Sequence, residues 1–184
     1  MASSQNIRYA ARILHAGGVI AYPTESVFGL GCLPDDCDAV SDILSIKARD
    51  QSMGLILIVS DPEQVSGWID LPMTGLDLKS AGDNPVTWIF PASDDVPVWI
   101  CGDHDSIAVR LTTHPVAHAL CEEADSAIVS TSANITGHAP ARNSSVLRRQ
   151  FHALVDYIVP GECGPATGPS EIRDYLTGEI VRSA

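Results

Sequence analysis

Four short polar clusters carry the side chains that could do chemistry in this sequence. Arg and Lys side chains bind carboxylates and phosphates, and hydroxyl and amide groups can complete the shell around such an anion. Since the chain has only 11 Lys and Arg residues, a cation inside a polar loop carries particular weight. The clusters are Pro23-Thr24-Glu25-Ser26, Lys47-Ala48-Arg49, Ser106-Ile107-Ala108-Val109-Arg110 and Ser130-Thr131-Ser132-Ala133-Asn134. They are compatible with a local basic pocket for a small anion.

Three of these clusters also have a purely structural interpretation. Lys47 and Arg49 could satisfy carbonyl groups at the C-terminus of a helix, where a positive charge is favoured. The serines and the asparagine of the 130–134 cluster could be turn and capping residues, and Thr24-Glu25 could be ordinary turn chemistry. Arg110 is different, because a charge on a buried apolar strand is costly unless it is paired. Arg110 therefore predicts either an anionic ligand or an acidic partner.

Several standard signatures are absent from the sequence. It contains no GxxxxGK[ST] phosphate loop, no GxGxxG fingerprint and no GxSxG nucleophile elbow. Any nucleotide must therefore be bound by another arrangement. His114 and His118 stand four residues apart on a predicted helix, but no third ligand accompanies them, so the ligands of any metal stay unknown.

The elements predicted to position these clusters alternate between strands and helices, which indicates an α/β fold. Apolar runs predict strands over 19–22, 55–59, 86–90, 106–111, 127–131, 155–159 and 179–182. Helices are predicted over 62–69, 115–122 and 144–151, around Ile7 to Leu14, and around Val40 to Lys47, with Asp36 or Asp38 as its cap. Residues 24–31 and 160–169 are predicted loops, and 71–84 gives no clear pattern. The irregular order predicts a mixed sheet, and ligands of α/β proteins usually bind beyond the strand ends.

Composition limits the classes of function. With 184 residues and 45% hydrophobic residues, the chain is expected to fold as one domain over 1–184, with a core over about 7–182. The net charge of −12 argues against a broad surface for non-specific nucleic-acid binding. The N-terminus lacks the pattern of a signal peptide, and no apolar stretch approaches the about 20 residues that span a bilayer. We therefore expect a cytoplasmic protein without a membrane contact.

Taken in order, the clusters resemble the motifs of a known family. Tyr22 to Gly31, Lys47-Ala48-Arg49, the 106–110 strand, the 130–134 cluster and Pro169-Ser170-Glu171-Ile172-Arg173 follow one another as they do in the threonylcarbamoyl-AMP synthase family. These are YrdC/TsaC-like proteins, here of the short, single-domain type. The resemblance extends from about residue 7 to 182. It implies a YrdC-like domain, with a twisted mixed sheet flanked by helices and a concave substrate cleft.

The resemblance also implies an activity. Family members join L-threonine, bicarbonate and ATP into threonylcarbamoyl-AMP and release pyrophosphate, for the N6-threonylcarbamoyladenosine modification at position 37 of tRNAs that read codons starting with A. It implies Mg²⁺ together with ATP, no organic cofactor, and a downstream threonylcarbamoyl-transferase complex, while direct RNA or tRNA contact is left open. Alternatives are a double-stranded RNA-binding module without catalysis and a carbamoyl transfer of the hydrogenase-maturation type.

Site residues follow from the same motifs. The resemblance implies catalytic roles for Lys47, Arg49, Ser132 and Asn134; threonine binding by Thr24, Arg110, Ser130 and Ser170; and ATP binding by the four catalytic residues with Ser106 and Arg182. This chain departs from the family pattern at Asp50 and Met53, after the Lys-x-Arg motif, and over residues 82–87. An acidic Asp50 beside the cleft would weaken anion binding unless it points away or helps to hold a cation.

Overall fold

The structure is a computed structural model, and it describes residues 2–73, 76, 78, 85–135 and 137–183. Within these residues the chain forms five α-helices and two short 3-10 helices. The α-helices are α1 (Ser4–His15), α2 (Cys37–Lys47), α3 (Val98–Cys101), α4 (Pro115–Ala124) and α5 (Ser144–Phe151). The 3-10 helices cover Gln51–Met53 and Pro62–Val65.

Nine strands form one mixed sheet. The strands are β1 (Ile20–Pro23), β2 (Phe28–Gly31), β3 (Ile56–Val59), β4 (Val86–Pro91), β5 (Ser106–Leu111), β6 (Ile128–Ser132), β7 (Tyr157–Ile158), β8 (Glu171–Asp174) and β9 (Ile180–Arg182). Their order is β7-β1-β2-β6-β3-β5-β4-β8-β9. The pairs β1/β7, β3/β5 and β4/β8 are parallel and the other pairs are antiparallel. The predicted mixed sheet flanked by helices is confirmed.

Helix ends are fixed by local capping groups. Asp36 is the N-cap of α2 and accepts a hydrogen bond from the Ala39 amide at 3.0 Å, which decides between the two predicted caps. At the other end of α2, Ala48 adopts a left-handed conformation with φ of 48°. That turn ends the helix directly after Lys47 and reverses the chain toward Arg49.

The apolar core lies on both faces of the sheet. Successive residues of β3 alternate between two clusters, since Leu57 and Val59 pack with α2 while Ile58 packs with α1 and α4. A third cluster joins Phe28 and other residues of β1 and β2 to α5. The central strands are therefore covered on both sides, which explains their continuous apolar sequences.

Several predicted elements differ from the structure. The predicted helix over 62–69 is only the 3-10 helix Pro62–Val65, and the predicted loop 24–31 contains β2. The sequence also did not reveal α3 or β8. Most of the stretch 71–84, in which the sequence shows no clear pattern, lies outside the described residues. The single domain over 1–184 stays a prediction.

Among the described helices, none combines the length and the apolar composition that a bilayer crossing requires.

Candidate active site

A pocket of about 360 Å³ lies over the centre of the sheet. Its floor is a cross-strand row in which Ser130 of β6, Ile56 of β3, Ala108 of β5 and Ile89 of β4 stand side by side. Eight of the ten residues that the motifs nominate line this pocket. They are Thr24, Arg49, Ser106, Arg110, Ser130, Ser132, Ser170 and Arg182.

Strand alternation brings the polar side chains of β5 and β6 to the pocket. Ser106, Ala108 and Arg110 all face it, as their two-residue spacing predicted. Arg110 Nη2 donates to Ser130 Oγ at 3.4 Å, so a side-chain contact joins β5 to β6 across β3, which lies between them. The hydroxyl-rich end of β6 lies next to β2, where Ser132 pairs with Gly29.

Three guanidinium groups dominate the electrostatics of the pocket. Burial and the charge of Arg182 lower the pKa of Arg49, and burial and the charge of Arg110 lower the pKa of Arg182. Arg49 Nη2 donates to the Gly54 carbonyl at 2.9 Å, and Arg182 Nη2 donates to the Ser170 carbonyl at 2.8 Å. The buried Nε atoms of Arg49 and Arg110 have no hydrogen-bond acceptor among the described residues. Mutually repelling cations with spare donors form a site for an anion.

Lys47 and Asn134 lie behind the wall of this pocket and are not among its lining residues. Lys47 is 4% exposed, and its Nζ donates to the Ser132 carbonyl at 2.6 Å and to the Asn134 carbonyl and Oδ1 at 3.0 Å each. The Ser132 hydroxyl donates to the same Asn134 Oδ1 at 2.7 Å. Lys47 thus holds the Ser132–Asn134 turn through its ammonium group. The roles of both residues in catalysis stay predictions.

The C-terminal strands complete one side of the pocket. Ser170 is buried, and its hydroxyl lies 2.8 Å from the hydroxyl of Thr87 on β4. Strand β8 follows directly and pairs with β4 and β9, which carries Arg182 to the pocket. The β8–β9 hairpin therefore brings Ser170 and Arg182, which lie near the end of the sequence, to the same pocket as the earlier motifs.

Asp50, Met53 and residues 82–87, where the sequence departs from the family pattern, differ in their position relative to the pocket. Asp50 is exposed, lies outside the pocket wall, and accepts a hydrogen bond from the Ser52 amide at 2.9 Å as the cap of a 3-10 helix. It therefore does not line the anion site. Met53 lines the pocket although it is 58% exposed. Residues 82–84 lie outside the described residues, whereas Pro85 contributes to the wall.

Glu25 is a site residue that the sequence indicated only as turn chemistry. It lines the pocket and is 8% exposed. Its Oε1 accepts hydrogen bonds from the Thr112 hydroxyl at 2.6 Å and from the amides of Thr113 at 3.0 Å and His114 at 3.3 Å. Burial raises the pKa of this carboxyl, but the Arg110 charge and these donors outweigh burial and lower it overall. The only available signal was a carboxylate between an apolar strand and a glycine-rich loop.

The two histidines of the predicted helix have structural contacts. His114 is the N-cap of α4 and accepts from the Val116 amide, while His118 pairs with Glu122 on the exposed face of the helix. Within the described part of the chain, no three His, Cys, Asp or Glu side chains are grouped as metal ligands.

Comparisons with known proteins agree with the motifs. Residues 12–184 match the Sua5/YciO/YrdC family model, described as Telomere recombination. The chain is 49% identical to a threonylcarbamoyl-AMP synthase of Nitrosococcus oceani over 179 residues, which cover 96% of both chains. It is 45% identical to the threonylcarbamoyl-AMP synthase of Methylococcus capsulatus over 182 residues, which cover 98% of both.

A solved structure has the same fold. P. abyssi Sua5 complexed with L-threonine superposes with a TM-score of 0.84 at 28% identity, over 97% of this chain. This chain spans 53% of the length of that Sua5. The resemblance drawn from the motifs is therefore confirmed over nearly the whole sequence, and the chain belongs to the Sua5/YciO/YrdC family of threonylcarbamoyl-AMP synthases.

Proposed function

We propose that this chain synthesises L-threonylcarbamoyladenylate from L-threonine, bicarbonate and ATP. The amine of threonine attacks bicarbonate to give a carbamate with loss of water. The carbamate oxygen then attacks the α-phosphate of ATP, and the bond to pyrophosphate breaks. The observation that carries the proposal is the group of three arginines, Arg49, Arg110 and Arg182, around one pocket in a chain of net charge −12.

The charge of the pocket suits these reactants. Threonine carboxylate, bicarbonate and ATP are all anionic, and negative charge accumulates at phosphorus during transfer. Guanidinium groups that are already in place stabilise this charge without reorganisation and without a covalent enzyme intermediate. Burial and the charge of a neighbouring arginine lower the pKa of Arg49 and of Arg182, and a bound anion offsets the repulsion between these cations.

Threonine is assigned to the side of the pocket formed by β5, β6 and the turn after β1. Arg110 offers its unpartnered Nε and its Nη atoms to the carboxylate, and Ser130 lies within 3.4 Å of Nη2. Thr24 and Ser170 are both buried polar residues that line the same pocket. The complex of P. abyssi Sua5 with L-threonine supports an amino-acid site in this fold.

ATP is assigned to the side that Arg49, Arg182, Ser106 and Ser132 form. Burial and the charge of Arg182 lower the pKa of Arg49, so both guanidinium groups would attract a triphosphate placed in this region. Lys47 and Asn134 support it indirectly, because they hold the turn that carries Ser132. Their predicted catalytic role is therefore proposed as one of positioning.

Mg²⁺ is proposed as a companion of ATP. Glu25 is the one carboxylate among the described residues of the pocket wall, and the described part of the chain groups no set of metal-ligating side chains. These residues do not form a protein cage for Mg²⁺, whose ligands would be ATP oxygens and water.

The product has further requirements. A mixed carbamic–phosphoric anhydride is labile, so a threonylcarbamoyl-transferase complex must use it to modify adenosine 37 of tRNA. We place these steps in the cytoplasm, where ATP and tRNA are available. No described feature favours the RNA-binding alternative, since the net charge of −12 opposes a duplex-binding surface.

Pyrophosphate release from ATP tests the reaction class. With Mg²⁺ and bicarbonate present, we expect strong stimulation by L-threonine, weaker stimulation by L-serine and none without an amino acid. The variant Arg110→Lys should lower kcat/KM for threonine about 10- to 100-fold, because a point charge replaces a bidentate donor. The matched control is Arg149→Lys on the exposed surface of α5, which should leave the rate unchanged. A folded protein that binds ATP but shows no threonine-dependent release would refute the proposal.

A further inference from the structure

The Glu25 carboxylate has one oxygen that is saturated and one that is not. Oε1 accepts three hydrogen bonds from the segment that leads into α4, contributed by Thr112, Thr113 and His114. Oε2 is buried and accepts no hydrogen bond among the described residues. A buried carboxylate oxygen without a donor is costly, so this atom calls for a ligand or a functional reason.

The surroundings keep this carboxylate ionised. Its pKa is lowered overall, with burial opposed by the charge of Arg110 and by the hydrogen bonds to Oε1. Among the described residues no ion pair joins Glu25 to Arg110, so the Arg110 charge acts on the carboxylate through space. Glu25 and Arg110 are thus a separated anion and cation in the wall of one pocket.

An anion and a cation that line one pocket without forming an ion pair can bind the two charged ends of an amino-acid zwitterion. We infer that Glu25 is a specificity-determining residue whose Oε2 accepts a hydrogen bond from the α-ammonium of the amino-acid substrate while Arg110 holds its carboxylate. This inference rests on the proposed function. The other charged side chains described in the wall are the cations Arg49, Arg110 and Arg182, so Glu25 is the anionic acceptor that the described wall offers to an ammonium group.

Oε2 is shielded from solvent, and Glu25 forms part of the pocket wall. The last torsion of a glutamate side chain is soft, so a small rotation that keeps the Oε1 contacts can present Oε2 to a bound amine. A purely structural role is the competing explanation, because Oε1 anchors the chain before α4. Glutamine separates the two roles: its carbonyl keeps the Oε1 contacts, while its uncharged amide removes the acceptor at Oε2.

The experiment compares L-threonine with (R)-3-hydroxybutyrate, which has the same carboxylate and hydroxyl but no amine. Competition binding is measured for the wild type and for Glu25→Gln, with ATP affinity as a check on the fold. In the wild type, we expect threonine to bind about 10- to 100-fold more tightly than (R)-3-hydroxybutyrate. In Glu25→Gln, threonine should lose about this factor while (R)-3-hydroxybutyrate and ATP are unaffected, so the preference for the amine disappears.

The control is Glu123→Gln, which removes the same charge from the exposed face of α4 and should keep the preference. Equal weakening of both ligands in Glu25→Gln, or an unchanged ratio of their affinities, would overturn the inference and leave Glu25 as a support for Arg110 and α4. A wild-type protein that binds no threonine would instead contradict the proposed function itself.

Discussion

At the scale of single residues, Lys47 shows how a motif side chain can serve the site without facing it. Three oxygen acceptors surround its Nζ, two from Asn134 and one from Ser132. An ammonium group has three N–H donors and can donate to all three of these oxygens, whereas a neutral amine has two and leaves one of them without a donor from Lys47. The protonation state of Lys47 therefore controls how firmly the Ser132–Asn134 turn is held.

This arrangement predicts a pH dependence. Burial and the charge of Arg49 lower the pKa of Lys47 to about 8, so the ammonium is present below that pH and lost as the pH rises through it. We expect kcat/KM of the wild type to fall above about pH 8. Lys47→Arg should be less active, but its profile should lack this fall because a guanidinium stays charged.

The threonine amine also titrates in this pH range, but its effect on the rate is the same for the wild type and for Lys47→Arg. Comparison of the two proteins therefore isolates the titration of Lys47. The two pH–rate profiles are measured under the same conditions and divided by one another. A constant ratio across the range would show that Lys47 does not titrate in the active enzyme.

At the scale of elements, the close contact between β2 and β6 sets the position of the hydroxyl-rich strand end. A Cβ atom at Gly31 would lie 2.5 Å from the Val129 carbonyl and 2.8 Å from Ile128 Cγ2. Both neighbours belong to β6, which continues to Ser130 and Ser132 in the pocket. Glycine at this position therefore allows the two strands to pack at the distance that the site needs.

Gly31→Ala tests this contact. The added methyl group meets backbone, which cannot rotate away, so we expect the free energy of unfolding to fall by about 1–3 kcal/mol. Urea denaturation measures the change. Gly67→Ala is the matched control, since nothing lies within 4 Å of its added Cβ, and it should change stability by less than about 0.5 kcal/mol. Equal stabilities of the two variants would contradict the packing argument.

The sequence predicted the central strands well because their burial on both faces leaves a clear apolar pattern. It missed β2 and β8 for different reasons. Phe28-Gly29-Leu30-Gly31 is short and glycine-rich, which is also typical of a loop. Strand β8 is Glu171-Ile172-Arg173-Asp174, whose polar composition hides the pairing with β4 and β9 that makes it a strand.

The candidate site was predictable where polar residues interrupt apolar strands, as Arg110 does. Local sequence did not reveal that Lys47 and Asn134 would support the pocket from behind, because that depends on how α2 docks against the end of β6. Glu25 was missed for a similar reason. A carboxylate in a turn is common, and only the packing of the segment before α4 onto Oε1 shows that the other oxygen has no donor.

At the scale of the whole molecule, charge is distributed unevenly. The chain has 23 acidic and 11 basic residues, yet the described pocket wall contains three arginines and one carboxylate. At physiological ionic strength, salt screens exposed charges that are more than about 8 Å away. An anion inside the pocket therefore interacts mainly with the charges of the pocket wall and only weakly with the distant acidic surface. An acidic protein can therefore bind anionic substrates at this one place.

The central claim is that one pocket joins threonine, bicarbonate and ATP. Incubating the enzyme with [¹³C]bicarbonate, L-threonine and Mg-ATP, followed by rapid chromatography and mass spectrometry, tests it most directly. The predicted product contains one threonine, one labelled carbonyl carbon and one AMP, and it forms in step with pyrophosphate. Pyrophosphate release that yields unlabelled adenylate, or AMP with free threonine at the earliest times, would contradict the account.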